Sequence, residues 1–129
     1  MLFKEIKHDF EIDGRKCSFQ TGKLALKSES SILAKMGDTV ITVNVNTAPA
    51  NQETDYFPLS VEYIEKFYAS GKINGSRFVK RERFPSDDAI LRARIIDRSM
   101  RAMFPADYRS ELQIIVEVLS FDPENDPTI

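Results

Sequence analysis

The order of strand and helix patterns along the chain predicts an α+β fold. Residues 39–47 are rich in β-branched side chains, and valine alternates with asparagine over 43–46, as in a strand with one apolar face. Alternating apolar residues over 3–12 predict another strand, and the Asp13-Gly14 pair after it is a strong hairpin signal. Further strands are predicted over residues 17–26, 31–36, 56–64 and 111–119. A single helix pattern interrupts this series, so we expect a mostly antiparallel or mixed sheet with one main helix.

Two residues mark irregularities in these predicted strands. Gly22 indicates a bulge after Thr21, beyond which Leu24 and Leu26 continue the strand pattern. Pro58 has no backbone N–H to donate, so the strand that contains it is expected to carry a bulge or to lie at a sheet edge.

The helix is predicted to begin at residues 85–88 and to end at Pro105. Ser86 can cap it, and the two aspartates that follow complement the positive end of the helix dipole. Apolar residues recur at three- and four-residue spacing over 90–104. One helix covers only part of one sheet face, so we expect uncovered apolar sheet surface, which favours self-association. We therefore expect residues 1–129 either to be part of something longer or to bury this open face against a partner.

Composition and cysteine usage indicate the class of protein. The 129 residues are 42% hydrophobic and 29% charged, which is typical of a globular chain of one domain at most. No apolar run approaches the roughly 20 residues that span a bilayer. The N-terminus lacks the apolar block of a secretory signal, and Cys17 has no partner for a disulfide. We expect a cytoplasmic protein without a membrane partner.

Positive charge is concentrated in one segment. Residues 72–101 contain nine cations and four anions, a net charge of +5, whereas the whole chain carries −2. Within that segment, residues 77–84 contain four cations and two phenylalanines. Arg94, Arg98 and Arg101 follow at helical spacing and are expected to share one face. Single-stranded nucleic acid is bound by cations and aromatic rings together. The alternative to a nucleic-acid-binding site is that residues 77–84 form a solvated connector whose phenylalanines anchor it to the core.

The chain shows no convincing active site. His8 is the only histidine and has no recognisable nucleophile near it in the sequence. The glycine-rich residues 71–76 lack the order of a phosphate-binding loop. Asp87 and Asp88 are explained by the helix start, without a third metal ligand at a suggestive spacing. We therefore predict no catalytic residue and no metal ligand in this chain.

Several motifs in fixed order resemble the first core domain of the polynucleotide phosphorylase family. They are Asp55-Tyr-Phe-Pro-Leu-Ser-Val-Glu-Tyr63, Tyr68-Ala-Ser-Gly-Lys-Ile-Asn-Gly-Ser76, Phe78-Val-Lys-Arg-Glu82, Arg94-Ile-Ile-Asp-Arg98 and Arg101-Ala-Met-Phe-Pro105. The resemblance implies a ribonuclease PH-like half-core, related to domain 2 of ribosomal protein S5. It also implies that a second core and the KH and S1 domains lie outside this chain.

The resemblance implies a polyribonucleotide nucleotidyltransferase, which degrades single-stranded RNA (mRNA) from 3′ to 5′ with inorganic phosphate and releases nucleoside diphosphates. The family forms homotrimers and joins RNA-degradosome partners. Its phosphate and Mg²⁺ sites belong to the second core, so we expect this chain alone to be inactive.

The resemblance also assigns RNA-binding residues. The family's FFRR motif, on a loop at the central pore, corresponds to Phe78, Val79, Lys80 and Arg81. Together with neighbouring cations, the predicted RNA-binding residues are Phe78, Val79, Lys80, Arg81, Arg83, Arg94 and Arg98. Ser99 and Ala102 stand where the family commonly has prolines, so the helix is expected to run on unbroken. Two alternatives stay open: an assembly fragment with a solvated basic loop, and a short independent nucleic-acid-binding module.

Overall fold

A computed structural model describes residues 4–49, 55–73 and 84–127 of the chain. Their strands form one mixed six-stranded sheet in the order β1-β2-β3-β4-β6-β5. The strands are β1 (Ile6–Ile12), β2 (Arg15–Thr21), β3 (Ser30–Met36), β4 (Thr39–Ala48), β5 (Leu59–Glu65) and β6 (Glu111–Ser120). A short 3₁₀ helix (Phe67–Ser70) and the helix α1 (Asp87–Arg101) lie between β5 and β6. The predicted α+β class and the single main helix are confirmed.

The first hairpin forms where the sequence predicts it. Antiparallel pairing of β1 with β2 places Ile12 opposite Arg15, and Asp13 and Gly14 both have positive φ angles, 49° and 74°. A tight turn with two left-handed residues matches the twist of the flanking strands, and aspartate and glycine adopt it at low cost.

The prediction that a strand continues through Leu24 and Leu26 is wrong. β2 ends at Thr21, and Gly22 has a φ of 79°. A Cβ atom at Gly22 would lie 2.6 Å from the carbonyl oxygen of Lys4, so this position requires glycine. Both leucines follow in a turn region and are more than 40% exposed.

β5 lies at the edge of the sheet, as Pro58 predicts. It is shorter at its start than predicted, beginning at Leu59 directly after the proline. β5 pairs in parallel with β6, whereas the other neighbouring strands pair antiparallel. The Pro58 carbonyl oxygen accepts a hydrogen bond from the Leu112 N–H at 3.0 Å. The carbonyl oxygen of Pro58 thus still bonds to the neighbouring strand, and at a sheet edge the absence of its N–H costs no hydrogen bond.

The helix start is confirmed, and its end is four residues earlier than predicted. The Ser86 hydroxyl accepts a hydrogen bond from the Ala89 N–H at 3.1 Å. The helix passes unbroken through Ser99 and ends at Arg101, with Ala102 as its C-cap. The Met103 N–H donates to the Met100 carbonyl, so the chain has left the helical path before Pro105.

The core lies between α1 and one end of the sheet. Tyr63 on β5 is buried, as are alternate residues of β6 from Leu112 to Val118. Because cross-strand partners share a face, the pairing of Val61 with Ile114 and of Tyr63 with Val116 places the β5 side chains on this same face. Ala89 on α1 packs against them and is 1% exposed.

The other half of the same sheet face has no helix over it in the described part of the chain. The register places Phe19 beside Ala34, Ala34 beside Ile41 and Ile41 beside Val118, so this face is apolar across all strands. The uncovered sheet surface consists of Ile6, Ile12, Phe19 and Ile32, which are 56%, 47%, 48% and 38% exposed. The prediction that one helix covers only part of the face is therefore confirmed.

Candidate nucleic-acid interface

The structure describes two of the seven residues predicted to bind RNA. Phe78, Val79, Lys80, Arg81 and Arg83 lie within 74–83, outside the described residues. Arg94 and Arg98 lie one turn apart on α1 and are both exposed. Among the described residues neither arginine has an ion-pair partner, so both guanidinium groups can meet an anionic ligand.

Arg101, the third arginine of the predicted face, is held by the protein itself. Its Nε and Nη2 atoms donate to the two carboxylate oxygens of Asp97 at 3.0 and 2.8 Å. Its Nη1 atom donates to the Phe57 carbonyl at 2.8 Å, and its guanidinium lies 5.5 Å from the centre of the Phe57 ring. The hydrogen bond with Asp97 raises the pKa of Arg101 above its ordinary value. Arg101 therefore links the helix end to the segment before β5.

A wide groove lies between β5, the 3₁₀ helix and the start of α1, which we call the β5–α1 groove. Its volume is about 1730 Å³, and its lining includes Phe67, Lys72, Phe84 and Arg94. Phe84 is 90% exposed and Phe67 is 47% exposed. The groove thus combines aromatic rings with cations, and Arg94 connects it to the exposed arginine pair on the helix.

Two carboxylates that border the groove are engaged by neighbouring residues. Glu65 accepts a hydrogen bond from the Ser86 hydroxyl at 3.2 Å and lies 3.9 Å from the Nε atom of Arg92. Asp97 is bound by Arg101. Arg101 offsets the charge of Asp97, whereas Arg92 offsets the charge of Glu65 only in part because it also pairs with Asp126.

Arg92 is a partly exposed cation next to this region. Its Nη1 atom lies 2.7 Å from an Asp126 carboxylate oxygen, and its guanidinium lies 5.8 Å from the centre of the Tyr63 ring. The hydrogen bond to Asp126 is the main reason that the pKa of Arg92 is raised above its ordinary value. Burial raises the pKa of Tyr63 above 10.0, although attraction by Arg92 opposes this shift. Arg92 thus lies beside Tyr63, which lines the groove.

Sequence reasoning missed the ring at Phe67. The residue follows β5 in the 3₁₀ helix, and the sequence carries no periodicity that distinguishes a core phenylalanine from an exposed one there. Its weak signal was the aromatic pair Phe67-Tyr68, two residues before the glycine-rich residues 71–76. Only the tertiary arrangement places this ring in one groove with Phe84.

The described residues contain no set of metal ligands. No three His, Cys, Asp or Glu side chains in the described ranges converge on a common point. The Mg²⁺ that the resemblance implies therefore has no fitting ligand set in this part of the chain. His8 is exposed and stacks on Phe10, and Cys17 is buried in the sheet. None of the helices in the described ranges combines the length and apolar composition needed to cross a bilayer.

Curated relatives match nearly the whole chain. A polyribonucleotide nucleotidyltransferase of Pelagibacter ubique is 44% identical over 129 residues, which are 99% of this chain and 19% of the relative. The enzyme of the same name from Fervidobacterium nodosum is 52% identical over 116 residues, 89% of this chain and 16% of that protein. The chain thus spans less than a fifth of the length of these relatives.

Solved structures share the fold at low sequence identity. Rice Rrp46 superposes with a TM-score of 0.53 at 12% identity, covering 95% of this chain and 48% of that one. The Archaeoglobus fulgidus exosome with RNA bound to the active site gives a TM-score of 0.51 at 19% identity, over 92% of this chain and 44% of the other. Both likenesses show the ribonuclease PH-like fold.

A family model covers most of the chain. The model of the 3′ exoribonuclease family, domain 1, matches residues 13–128, which include every strand from β2 to β6 and the helix α1. The match agrees with the predicted resemblance to polynucleotide phosphorylase and with the curated relatives. The chain therefore belongs to the 3′ exoribonuclease family, domain 1.

Proposed function

We propose that this chain is the N-terminal part of the first core domain of a polynucleotide phosphorylase, which degrades single-stranded RNA from 3′ to 5′ with inorganic phosphate. Within that enzyme the segment contributes RNA binding and assembly, and catalysis belongs to other parts. The observation that carries the proposal is the pair of exposed arginines, Arg94 and Arg98, on a chain of this family.

The RNA-binding surface joins the helix to the preceding basic segment. Arg94 and Arg98 bind phosphates, and Phe78, Val79, Lys80, Arg81 and Arg83 contact the same strand. The aligned arginines support this proposal because their guanidinium groups have no ion-pair partner among the described residues and lie one helical turn apart. Guanidinium groups bind phosphate in a two-pronged geometry that a lysine cannot reproduce.

The salt dependence of RNA affinity tests this surface. Each phosphate contact contributes about 0.7 to the slope of log affinity against log salt for a single strand. We expect the Arg94→Ala/Arg98→Ala variant to bind an oligoribonucleotide more weakly and with a slope reduced by roughly 1.4. The Lys80→Ala/Arg81→Ala variant is expected to reduce the slope similarly.

A matched control removes the same charge elsewhere. Lys16 and Lys35 are exposed and, by strand register, belong to the sheet face opposite α1. The Lys16→Ala/Lys35→Ala variant should therefore keep the slope of the unmodified chain. An equal loss in this control would show that net charge alone drives binding and would contradict the assigned surface.

The chemistry is proposed to lie outside this chain. In the intact enzyme, inorganic phosphate and Mg²⁺ act at the second core, and this segment supplies none of their ligands. We expect the isolated chain to release no nucleoside diphosphates from RNA and phosphate. Release that survives purification and depends on phosphate would contradict this division of roles.

Assembly is the second proposed contribution. The uncovered sheet surface of Ile6, Ile12, Phe19 and Ile32 supports a contact with further protein elements, because apolar area of this kind is normally buried. We propose a homotrimeric, cytoplasmic parent enzyme that joins RNA-degradosome partners. Light scattering would measure self-association of the chain. If the chain self-associates but binds no RNA, its role is assembly alone and its basic loop is only solvated.

A further inference from the structure

We propose that the β5–α1 groove binds RNA bases by stacking them on Phe67 and Phe84. The inference rests on the proposed RNA-binding function and deepens it by adding two residues outside the predicted set. The occupant is a short stretch of single-stranded RNA that runs from the exposed arginines of α1 into the groove.

The exposure of the two rings is the first observation. Phe84 is 90% exposed, the highest value among the described phenylalanines, and Phe67 is 47% exposed. Both line the same groove, Phe67 from the 3₁₀ helix and Phe84 from the segment just before the N-cap of α1. An exposed ring gains free energy when another flat group covers it, and every base has a flat face.

The charges around the rings are the second observation. Lys72 and Arg94 line the groove together with the two rings. Among its acids, Glu65 accepts from Ser86 and Asp97 is bound by Arg101, while Glu62 borders the groove from the opposite face of β5. The groove therefore favours an anionic ligand with flat apolar parts over a purely apolar one.

RNA suits this groove better than a peptide does. A peptide added to the edge of β5 would pair with its backbone and would need neither exposed rings nor free guanidinium groups. Cations beside exposed rings are the combination that binds single strands without sequence preference. The position of Arg94 in both the groove and the exposed arginine pair makes the two surfaces continuous.

Ring substitutions test the inference. Each of Phe67→Ala and Phe84→Leu is expected to weaken binding of an oligoribonucleotide by about fivefold or more, because a stacked base is lost. Phe84→Tyr keeps a ring and should bind like the unmodified chain. Since no charge is removed, the salt slope should stay unchanged in all three. Tyr56→Ala, at a ring that is 66% exposed and does not line the groove, is the control and should not alter affinity.

The base itself provides a second measurement. An abasic oligoribonucleotide should bind the unmodified chain and the Phe84→Leu variant equally, and 2-aminopurine fluorescence should be quenched only when a ring is present. Equal loss of affinity for the abasic strand, or full affinity in Phe84→Leu, would overturn the inference. The inference would also be overturned if the ring variants still bound RNA normally but no longer bound a protein partner.

The outcomes separate this inference from the proposed function. If the unmodified chain binds no RNA, the proposed function itself fails. If binding depends on Arg94 and Arg98 but not on either ring, only the stacking role fails. Circular dichroism and thermal unfolding of each variant show whether a loss reflects the fold.

Discussion

Arg92 and Asp126 form a two-pronged ion pair between residues 34 positions apart. Nη1 and Nη2 of Arg92 lie 2.7 and 3.3 Å from the two carboxylate oxygens of Asp126. The pair joins α1 to the segment that follows β6. Arg92 of the basic segment therefore serves the fold, whereas Arg94 and Arg98 on the same helix are exposed.

We expect Arg92→Ala to lower the free energy of unfolding by about 1 kcal/mol, because both contacts to a half-exposed carboxylate are lost. Arg92→Lys should recover less than half of this loss, since a lysine cannot reproduce the two-pronged contact. Urea unfolding measures both values. Arg94→Ala is the matched control and should change stability by less than about 0.5 kcal/mol; an equal loss there would contradict a specific role for Arg92.

The hydroxyl of Tyr63 makes stability depend on alkaline pH. It is buried without a hydrogen-bond partner among the described residues, and burial holds the pKa of Tyr63 above 10.0. The folded state therefore favours the neutral phenol. Its contribution is fully present below pH 10 and is lost as the pH rises through the folded pKa.

We expect Tyr63→Phe to leave stability nearly unchanged at pH 7, because no hydrogen bond is lost. Above pH 10 the variant should lose less stability than the unmodified chain in urea unfolding. Tyr56→Phe, at a tyrosine that is 66% exposed, serves as the control and should follow the unmodified chain. Identical alkaline profiles for all three proteins would show that Tyr63 does not titrate in the fold.

The N-cap of α1 is expected to contribute measurably to the free energy of unfolding. Ser86 accepts a hydrogen bond from the Ala89 N–H and donates to Glu65, so one hydroxyl serves two elements. Ser86→Ala is expected to cost about 1 kcal/mol. Ser86→Asp keeps the cap but places a second carboxylate beside Glu65, so it should recover only part of the loss. A Ser99→Ala control, inside the helix, is expected to be near neutral in thermal unfolding.

Thr39 connects β4 to the segment after β6. Its hydroxyl donates to the Asn125 carbonyl at 2.6 Å and accepts from the Asp122 N–H at 2.9 Å. The side chain is buried, so Thr39→Val, which keeps its shape, should lower the free energy of unfolding by about 1–3 kcal/mol. Thr39→Ser keeps the hydroxyl and should lose less. If Thr39→Ser loses more stability than Thr39→Val, packing of the methyl group would outweigh the hydrogen bonds, which would contradict this expectation.

Local patterns were predicted correctly where local chemistry decides the structure. The hairpin at Asp13-Gly14 and the cap at Ser86 depend on contacts within three residues, which the sequence displays directly. The strand predicted through Leu24 and Leu26 failed because Gly22 must approach the carbonyl of Lys4, a contact that no alternation pattern reveals.

The availability of the arginines for a ligand could not be predicted from their spacing. Helical periodicity places Arg94, Arg98 and Arg101 on one face, yet Arg101 donates to the carbonyl of Phe57, which lies 44 residues earlier. Asp97, one turn away, was visible in the sequence as a partner. The contact with Phe57 could not be seen in the sequence, because it depends on how the segment before β5 crosses the end of the helix.

Residue order alone predicts the α+β arrangement of elements, the family and the excess of cations over 72–101, because periodicity, turn residues and charge are properties of neighbouring residues. The roles of the individual arginines required the packed fold, in which Arg92 and Arg101 contact distant segments while Arg94 and Arg98 are exposed. The packed fold also decided that Phe67 and Phe84 border one groove. Both outcomes follow from packing between residues distant in the chain.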